Sequence, residues 1–529
     1  MGKTAKEVLY YNERYKGSLT DDQCQAIEYL LEIDKNNGYV SDLRHVIYHM
    51  ADSDVINLIE DYETFGMETQ TYKRPRGTLR DEQTVGVALM YHAKNCINGD
   101  SVGLGKTVET CGLYNLVKTE YNKSNKKFRC LVLTEKNIAA QFRSEMVKYT
   151  GEYVYLVKNG QQETINKFMT RYPVDMPFDR NVVGTHALLT TSSFISWLEQ
   201  CRIYGDGFPF EMLVIDESSV LGGSDTGVVK NFKILREYFK RIIFLNATPF
   251  ESSANIFFNQ LNLLDKTLMP TKTNFEKEYC VMRWNGTFSR PSGKYKNCDE
   301  FRYRVGLRYF ARTRKSKGAK MEDCSGGMLL SPLSVAQKEL LKLTQLKTMV
   351  YSCPTHLDPS IPFTEEHVPK LADLKSLLEE ECLEADSILI FSHFKESQYR
   401  LSEWLSNRGY SNRVLNGETK QKERTAITDS FKEKEYRILI TNVQRGLNFG
   451  DCNHCIFFSF DPNPSKMIQF EGRTTREFDI VGKNVFILCS KGDEYKKFKE
   501  VLKERARATD SMTYTDYSVV MSILLGGNQ

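Results

Sequence analysis

The sequence predicts an α/β chain: two tandem parallel-sheet units, helical insertions between them and a helical segment in front. Three observations predict it. Short apolar runs that end in polar residues alternate with helical stretches in two separate blocks, the pattern of βαβ units. The 529 residues exceed what one hydrophobic core serves; at about 150 residues per domain they point to three or four units. A glycine-rich loop ending Gly-Lys-Thr, Asp100 to Thr107, stands in the first block, and no such loop occurs in the second.

The divisions that follow are 1–75, a helical N-terminal accessory segment, and 76–265, the first lobe. Then come 266–380, helical insertions and a basic, aromatic linker; 381–495, the second lobe; and 496–529, a helical tail. In the first segment Leu43, Val46, Ile47 and Met50 recur at helical spacing behind a candidate cap, Ser41. First-lobe strands are expected at Cys130–Leu133, Tyr153–Val157, Ala187–Leu189, Met212–Ile215 and Ile242–Leu245. Second-lobe strands are expected at Ile388–Ser392, Arg413–Leu415, Arg437–Ile440, Cys455–Phe458 and Val485–Leu488.

With 41% hydrophobic and 26% charged residues the composition is that of a soluble globular protein. A net charge of +4 is small, so a polyanion-binding surface has to come from local clustering. Thirteen cysteines without a repeating spacing read as reduced thiols in a cytosol-like compartment, and no run of apolar residues is long enough to span a membrane. A cytoplasmic setting, in a bacterium or a virus-infected host, is the expectation, with a nuclear one left open.

The loop supplies the first candidate site. Gly103 and Gly105 let backbone N–H groups approach phosphate oxygens, Lys106 brings charge, and Thr107 can ligate Mg²⁺. Asp100 stands where a glycine is usual. Gln83, about twenty residues upstream, offers an amide that can donate to and accept from an adenine edge; a solvent-facing glutamine is the plainer reading of it alone. Asp216 and Glu217 follow the apolar run Leu213-Val214-Ile215, and two carboxylates there are costly to bury without a cation or partner. Asp216 suits the metal and Glu217 the polarisation of an attacking water. In the second lobe Arg473 and Arg476, three apart, can neutralise charge on a transferring phosphoryl group, and Gly446 lets backbone approach a phosphate or ribose.

The order of these motifs resembles helicase superfamily two, P-loop NTPases with two RecA-like lobes, and within it the Swi/Snf-like ATPases. That family's loop reads Asp-Glu-x-Gly-Leu-Gly-Lys-Thr, so Asp100 becomes a supporting feature. Leu79 and Gln83, Asp216-Glu217, Ala247-Thr248-Pro249, Gly446-Leu447-Asn448, and Gln469 with Arg473 and Arg476 match its further motifs. The resemblance implies a DNA-dependent ATPase using ATP and Mg²⁺ that translocates on DNA, duplex or branched DNA being favoured over single strands, with RNA left open. It also implies backbone contacts at Thr134, Thr191 and Thr441. A fork- or branch-migrating helicase, and an ATP-gated scaffold or remodeller of a DNA-bound protein, are the alternatives. The chain departs from the family at Ser218-Ser219, where Ala and then His or Gln are usual, which puts the coupling of hydrolysis to motion in question.

Two further stretches invite a reading. Between 283 and 320 twelve Lys or Arg residues face only Asp299 and Glu300, with Trp284, Phe288, Tyr295, Phe301, Tyr303 and Tyr309 interleaved. This is either a surface that tracks phosphates and stacks bases or an extension whose aromatics are core. Cys452 and Cys455 have a zinc-like spacing, but no second pair lies nearby, so core packing is the expected role.

Overall fold

The computed structural model describes residues 39–41 and most of 79–499; 101–102, 250–253, 315–324, 444–448, 460–463 and 472–483 are among the stretches outside the described residues. The described residues fall into two compact units that divide between Lys315 and Ser316. Each unit is a RecA-like parallel sheet with helices on both faces.

The strands of lobe 1 are β1 (Tyr39–Ser41), β2 (Asn95–Asn98), β3 (Cys130–Thr134), β4 (Val154–Val157), β5 (Asn181–Thr185), β6 (Met212–Asp216), β7 (Arg241–Leu245), β8 (Cys280–Trp284), β9 (Ser289–Tyr295), β10 (Tyr309–Phe310) and β11 (Arg312–Arg314). Seven of them form one sheet in the order β10-β2-β7-β6-β3-β5-β4, every neighbouring pair parallel. Side chains alternate between its faces. In β6, Leu213 and Ile215 enter one apolar cluster while Met212 and Val214 enter the other. Burial on both faces is why these strands read as continuous apolar runs rather than alternating ones.

Helices α1 (Asp81–Ala93), α2 (Lys106–Lys123) and α3 (Ala139–Thr150) cover the face of Met212 and Val214 through Met90, Leu113, Tyr114, Phe142 and Met146. The other face carries α4 (Gln162–Arg171), α5 (Ser192–Tyr204), α6 (Gly227–Leu235), α7 (Ala254–Leu264), α8 (Lys272–Tyr279) and α9 (Cys298–Val305). Phe275, Tyr279, Phe301 and Tyr309 are buried in that same cluster, so the segment beyond residue 265 packs as part of lobe 1. For Phe301 and Tyr309, the core reading of the basic, aromatic stretch is the one the packing takes. Tyr295 packs against the same cluster, Trp284 is exposed, and Phe288 and the side chain of Tyr303 lie outside the described residues.

Lobe 2 has the strands β12 (Ser325–Ser331), β13 (Ile388–Phe391), β14 (Asn412–Leu415), β15 (Ile438–Thr441), β16 (His454–Phe457) and β17 (Asn484–Ser490). They form a six-stranded sheet, β12-β17-β16-β13-β15-β14, again parallel throughout. Helices α10 (Lys370–Glu379) and α11 (Lys395–Ser406) pack Leu371, Leu374, Leu401 and Trp404 on the face that carries Ile388, Ile390 and Ile440. One ion pair in this lobe is nearly closed to water: Lys370 donates to Glu494 at 3.0 Å, their side chains only 1% and 3% exposed. Glu494 also accepts the Ser490 N–H at 2.6 Å, which ties α10 to the end of β17.

One expectation about elements is corrected. Ala187–Leu189 is a 3-10 turn, His186–Thr190, and the strand is the preceding Asn181–Thr185, whose apolar content is only a valine pair. Ser41 ends a strand that pairs antiparallel with β11, Val40 opposite Thr313, and the helix it is expected to cap lies outside the described residues. The helical repeat Leu43–Met50 lies outside the described residues. Among the described residues no helix is long and apolar enough to cross a membrane.

Candidate nucleotide site

The carboxyl ends of β2, β7, β6 and β3 lie side by side, with Asn98 paired to Leu245 and Leu245 to Asp216. Ligands of open parallel sheets sit in that position. The loop leaves β2 and enters α2 at Lys106, with Gly103 at φ 90° and Gly105 at φ 89°, the left-handed region where a Cβ is strained. The first N–H groups of α2 are therefore presented at the end of the loop, where backbone donors and the helix dipole favour an anion.

Beneath the loop lies a buried polar scaffold. Asn98 Nδ2 donates to Glu109 Oε2 at 2.7 Å, and Asn98 Oδ1 accepts the Asp100 N–H at 3.0 Å. Asp100, wholly buried, turns its backbone carbonyl to the Lys106 ammonium, which donates to it. Burial pushes the Lys106 ammonium below its ordinary range, and the charges of Asp100, Glu217, Asp216 and Glu109 act against that push. Gln83 is buried too, and its Nε2 donates to the Leu104 carbonyl at 3.1 Å, fastening α1 to the loop.

Asp216 ends β6. Burial and then the neighbouring Glu217 charge raise its carboxyl to about 6, while a hydrogen bond from Thr134 and the Lys106 charge pull the other way. Thr134 Oγ1 donates to Asp216 Oδ2 at 2.8 Å, and His186 Nε2 bonds the Asp216 carbonyl at 2.7 Å. Glu217 sits at φ 50°, in the left-handed region that non-glycine residues rarely occupy and that clusters at functional sites. Two adjoining carboxylates, one with its proton affinity raised by desolvation, are a donor set that a divalent cation stabilises. On that ground the residues fit Mg²⁺.

Ser218, the first departure from the family pattern, is fully buried. Its Oγ donates to Gln260 Oε1 at 2.5 Å, and Gln260 Nε2 donates to the Pro249 and Ile256 carbonyls, each at 3.3 Å. Asn246 Nδ2 reaches the same Oε1 at 3.5 Å, and Asn246 Oδ1 accepts the Thr248 N–H at 3.0 Å. The turn after Asp216-Glu217 and the turn Ala247-Thr248-Pro249 are thus joined through one α7 side chain. Sequence reasoning missed Asn98, Glu109, His186 and Gln260. Only the helical period of α7 could have pointed to Gln260, and that marks a core position without naming its partners.

The threonines expected at a nucleic-acid backbone are placed differently. Thr134 is wholly buried and orients Asp216; Thr441 is wholly buried and accepts the Val443 N–H at 2.9 Å. Neither hydroxyl faces solvent in this structure. Thr191 is half-buried, donating to the Ala187 carbonyl at 2.8 Å. Gln469 is buried in the helix Pro464–Glu471. Gly446, Arg473 and Arg476 lie outside the described residues. Cys455 is buried within β16, and Cys452 Sγ donates to the Ser387 carbonyl at 3.3 Å.

A family model described as the SNF2-related domain matches residues 22–317, more than half of the chain. The chain belongs to the SNF2-related domain family. A second model, the helicase conserved C-terminal domain, matches residues 369–477. This SNF2-related chain is 21% identical over 436 residues to chromodomain-helicase-DNA-binding protein 1-like of Danio rerio, a match covering 75% of the chain and 40% of that relative. It is 21% identical over 412 residues to the uncharacterized ATP-dependent helicase YqhH of Bacillus subtilis (strain 168), covering 72% and 69% respectively. The chain spans less than half the length of curated relatives such as the first. Among solved structures, the SWI2/SNF2 ATPase core of Sulfolobus solfataricus in complex with dsDNA is 17% identical, with 83% of this chain and 94% of that one covered and a TM-score of 0.39.

Proposed function

We propose that the chain is an ATP-driven motor that tracks along double-stranded DNA, hydrolysing ATP faster when DNA is bound, in support of recombination, repair or replication. The observation that carries this reading is the set of groups gathered at the ends of β2, β6 and β3: Lys106, Asp216, Glu217 and Thr134, at the head of α2. Family membership and relatives named as helicases support it.

Lys106 and the first N–H groups of α2 hold the β- and γ-phosphates, and Thr107 and Asp216 hold the metal. Bound Mg²⁺ supplies positive charge beside the phosphate oxygens. Thr134 keeps Asp216 in one orientation, and Glu217 takes up the proton of the attacking water. Gln83 acts on the loop through the Leu104 carbonyl. Arg473 and Arg476 neutralise charge on the transferring group; in related chemistry such an arginine is worth about 10³- to 10⁵-fold in rate.

The test is ATP turnover with blunt duplex, single-stranded, forked and four-way DNA and with RNA, beside a triplex-displacement assay. Duplex-stimulated turnover with displacement is expected, abolished by Lys106→Ala. DNA-stimulated turnover that persists in Lys106→Ala removes the site assignment, and turnover indifferent to every nucleic acid removes the motor.

A further inference from the structure

Between α8 and α9 the chain leaves the core of lobe 1 and comes back. Cys280, buried, and Tyr295, packed against the core cluster, are partners at the base of the antiparallel ribbon β8–β9. The base is clamped: the Lys296 N–H donates to the Tyr279 carbonyl at 2.9 Å, and Asn297 Nδ2 donates to the Glu278 carbonyl at 2.9 Å. Beyond it Val281, Met282, Arg283 and Trp284 are all exposed, so neither side of β8 is covered. From Cys280 to Trp284 the strand rises about 13 Å. A register shift between Cys280 and Met282 adds local twist.

A two-stranded ribbon with no packed face is marginal by itself. This one also sets Arg283 opposite Arg290, and like charges on one rung oppose pairing. No carboxylate occurs between Cys280 and Lys296, while Arg283, Arg290, Lys294 and Lys296 do. Among the described residues Arg283 has no ion-pair partner. A polyanion relieves the opposed cations. At the outer end Trp284, 64% exposed, presents a large aromatic face on the opposite side of the strand from Arg283. A ribbon with a cation for phosphates on one face and a free aromatic ring on the other suits the point where two strands part, since a base must be unpaired to stack on a side chain.

We propose that the β8–β9 ribbon binds DNA where a duplex opens, with Arg283 on the phosphates of one strand and Trp284 stacked on the first unpaired base of the other. The inference rests on the DNA-motor reading and deepens it: the motor prefers forked or branched DNA because of this ribbon.

The test is fluorescence anisotropy, without nucleotide, of a labelled fork and a blunt duplex of the same sequence. Trp284→Ala is expected to weaken fork binding by about 5- to 150-fold, the worth of one stacked base, and to leave the blunt duplex within about twofold. Trp284→Phe keeps most of the fork affinity, and Arg283→Gln lowers the salt slope by about one. Equal loss on both DNAs, no loss on the fork, or no rescue by Phe overturns the proposal, as does competition by polyglutamate that matches competition by fork DNA. Turnover on the same DNAs separates the two readings. Duplex-stimulated hydrolysis with fork binding indifferent to Trp284 keeps the motor and removes the ribbon's role. Trp284-dependent fork binding without DNA-stimulated hydrolysis does the reverse.

Discussion

Ser218 donates its only hydroxyl proton to a buried amide, and that single bond joins two turns of the candidate site. Ser218→Ala removes the donor without adding volume. It leaves Gln260 Oε1 with only the 3.5 Å approach of Asn246. A buried acceptor deprived of its partner costs about 1–3 kcal/mol. Gln260→Leu strands both the Ser218 hydroxyl and the Pro249 carbonyl, so about 2–4 kcal/mol is expected. Because the two residues share one bond, the double variant should fall short of the sum of the singles by about 1–2 kcal/mol. The chain's three tryptophans make the assay specific to lobe 1: in a Trp284→Phe, Trp404→Phe background, Trp197 alone remains, inside the lobe 1 core. Urea unfolding followed by its fluorescence gives the lobe 1 transition directly. Additivity within about 0.5 kcal/mol would refute the bond as an energetic link, and with it the joining of the two turns through Gln260.

Further outcomes are expected. Thr134→Val keeps shape but removes the bond that orients Asp216, so the Mg²⁺ concentration for half-maximal turnover should rise about 10- to 100-fold; an unchanged Mg²⁺ titration counts against the metal role of Asp216. Lys370→Met leaves Glu494 buried without its cation and should destabilise lobe 2 by about 3–5 kcal/mol, whereas Lys370→Met with Glu494→Leu recovers most of that; equal loss in both would mean the pair is not the source. His454 is held neutral by burial, and then by the Arg437 charge, with Asn484 Nδ2 donating to its Nε2 at 2.8 Å. Its imidazole lies below the ordinary 6.5, so the unfolded chain binds the proton more readily and lobe 2 loses stability as pH falls below about 6.5. His454→Gln should flatten the pH 5–7 slope of the lobe 2 unfolding midpoint relative to wild type, and parallel slopes would exclude that histidine as the cause.

Strands with a dense branched or aromatic core, such as Cys130–Thr134, Met212–Asp216 and Ile388–Phe391, were legible because a parallel sheet covered on both faces leaves its period-two signal as one apolar run. Asn95–Asn98 and Ser325–Ser331 were not. The first is short with polar ends, and the second opens Ser-Gly-Gly; partners distant in the chain, β7 and β17, hold them. The loop and Asp216-Glu217 were readable because phosphate and metal chemistry demands those residue types at fixed spacing. The groups that set them, Asn98, Glu109, Thr134 and Gln260, have ordinary identities, and only the approach of separate strands gives them partners. Thr134 shows the difference most plainly. Its place at a strand end was visible, while the direction its hydroxyl takes depended on β6 lying beside β3.

The strand that follows the ribbon has a mechanical consequence. Leaving β9, the chain passes through α9 and enters the sheet as β10, parallel to β2, the strand that launches the phosphate loop. The Ile97 N–H donates to the Arg308 carbonyl at 2.8 Å and the Gly99 N–H to the Phe310 carbonyl at 2.7 Å; a Cβ on Gly99 would strike Tyr309. β10 and the root of the loop are therefore adjacent at one edge of the sheet. If the ribbon meets DNA as proposed, a load that drags on it would pass through α9 and β10 into the footing of the loop proposed to hold ATP.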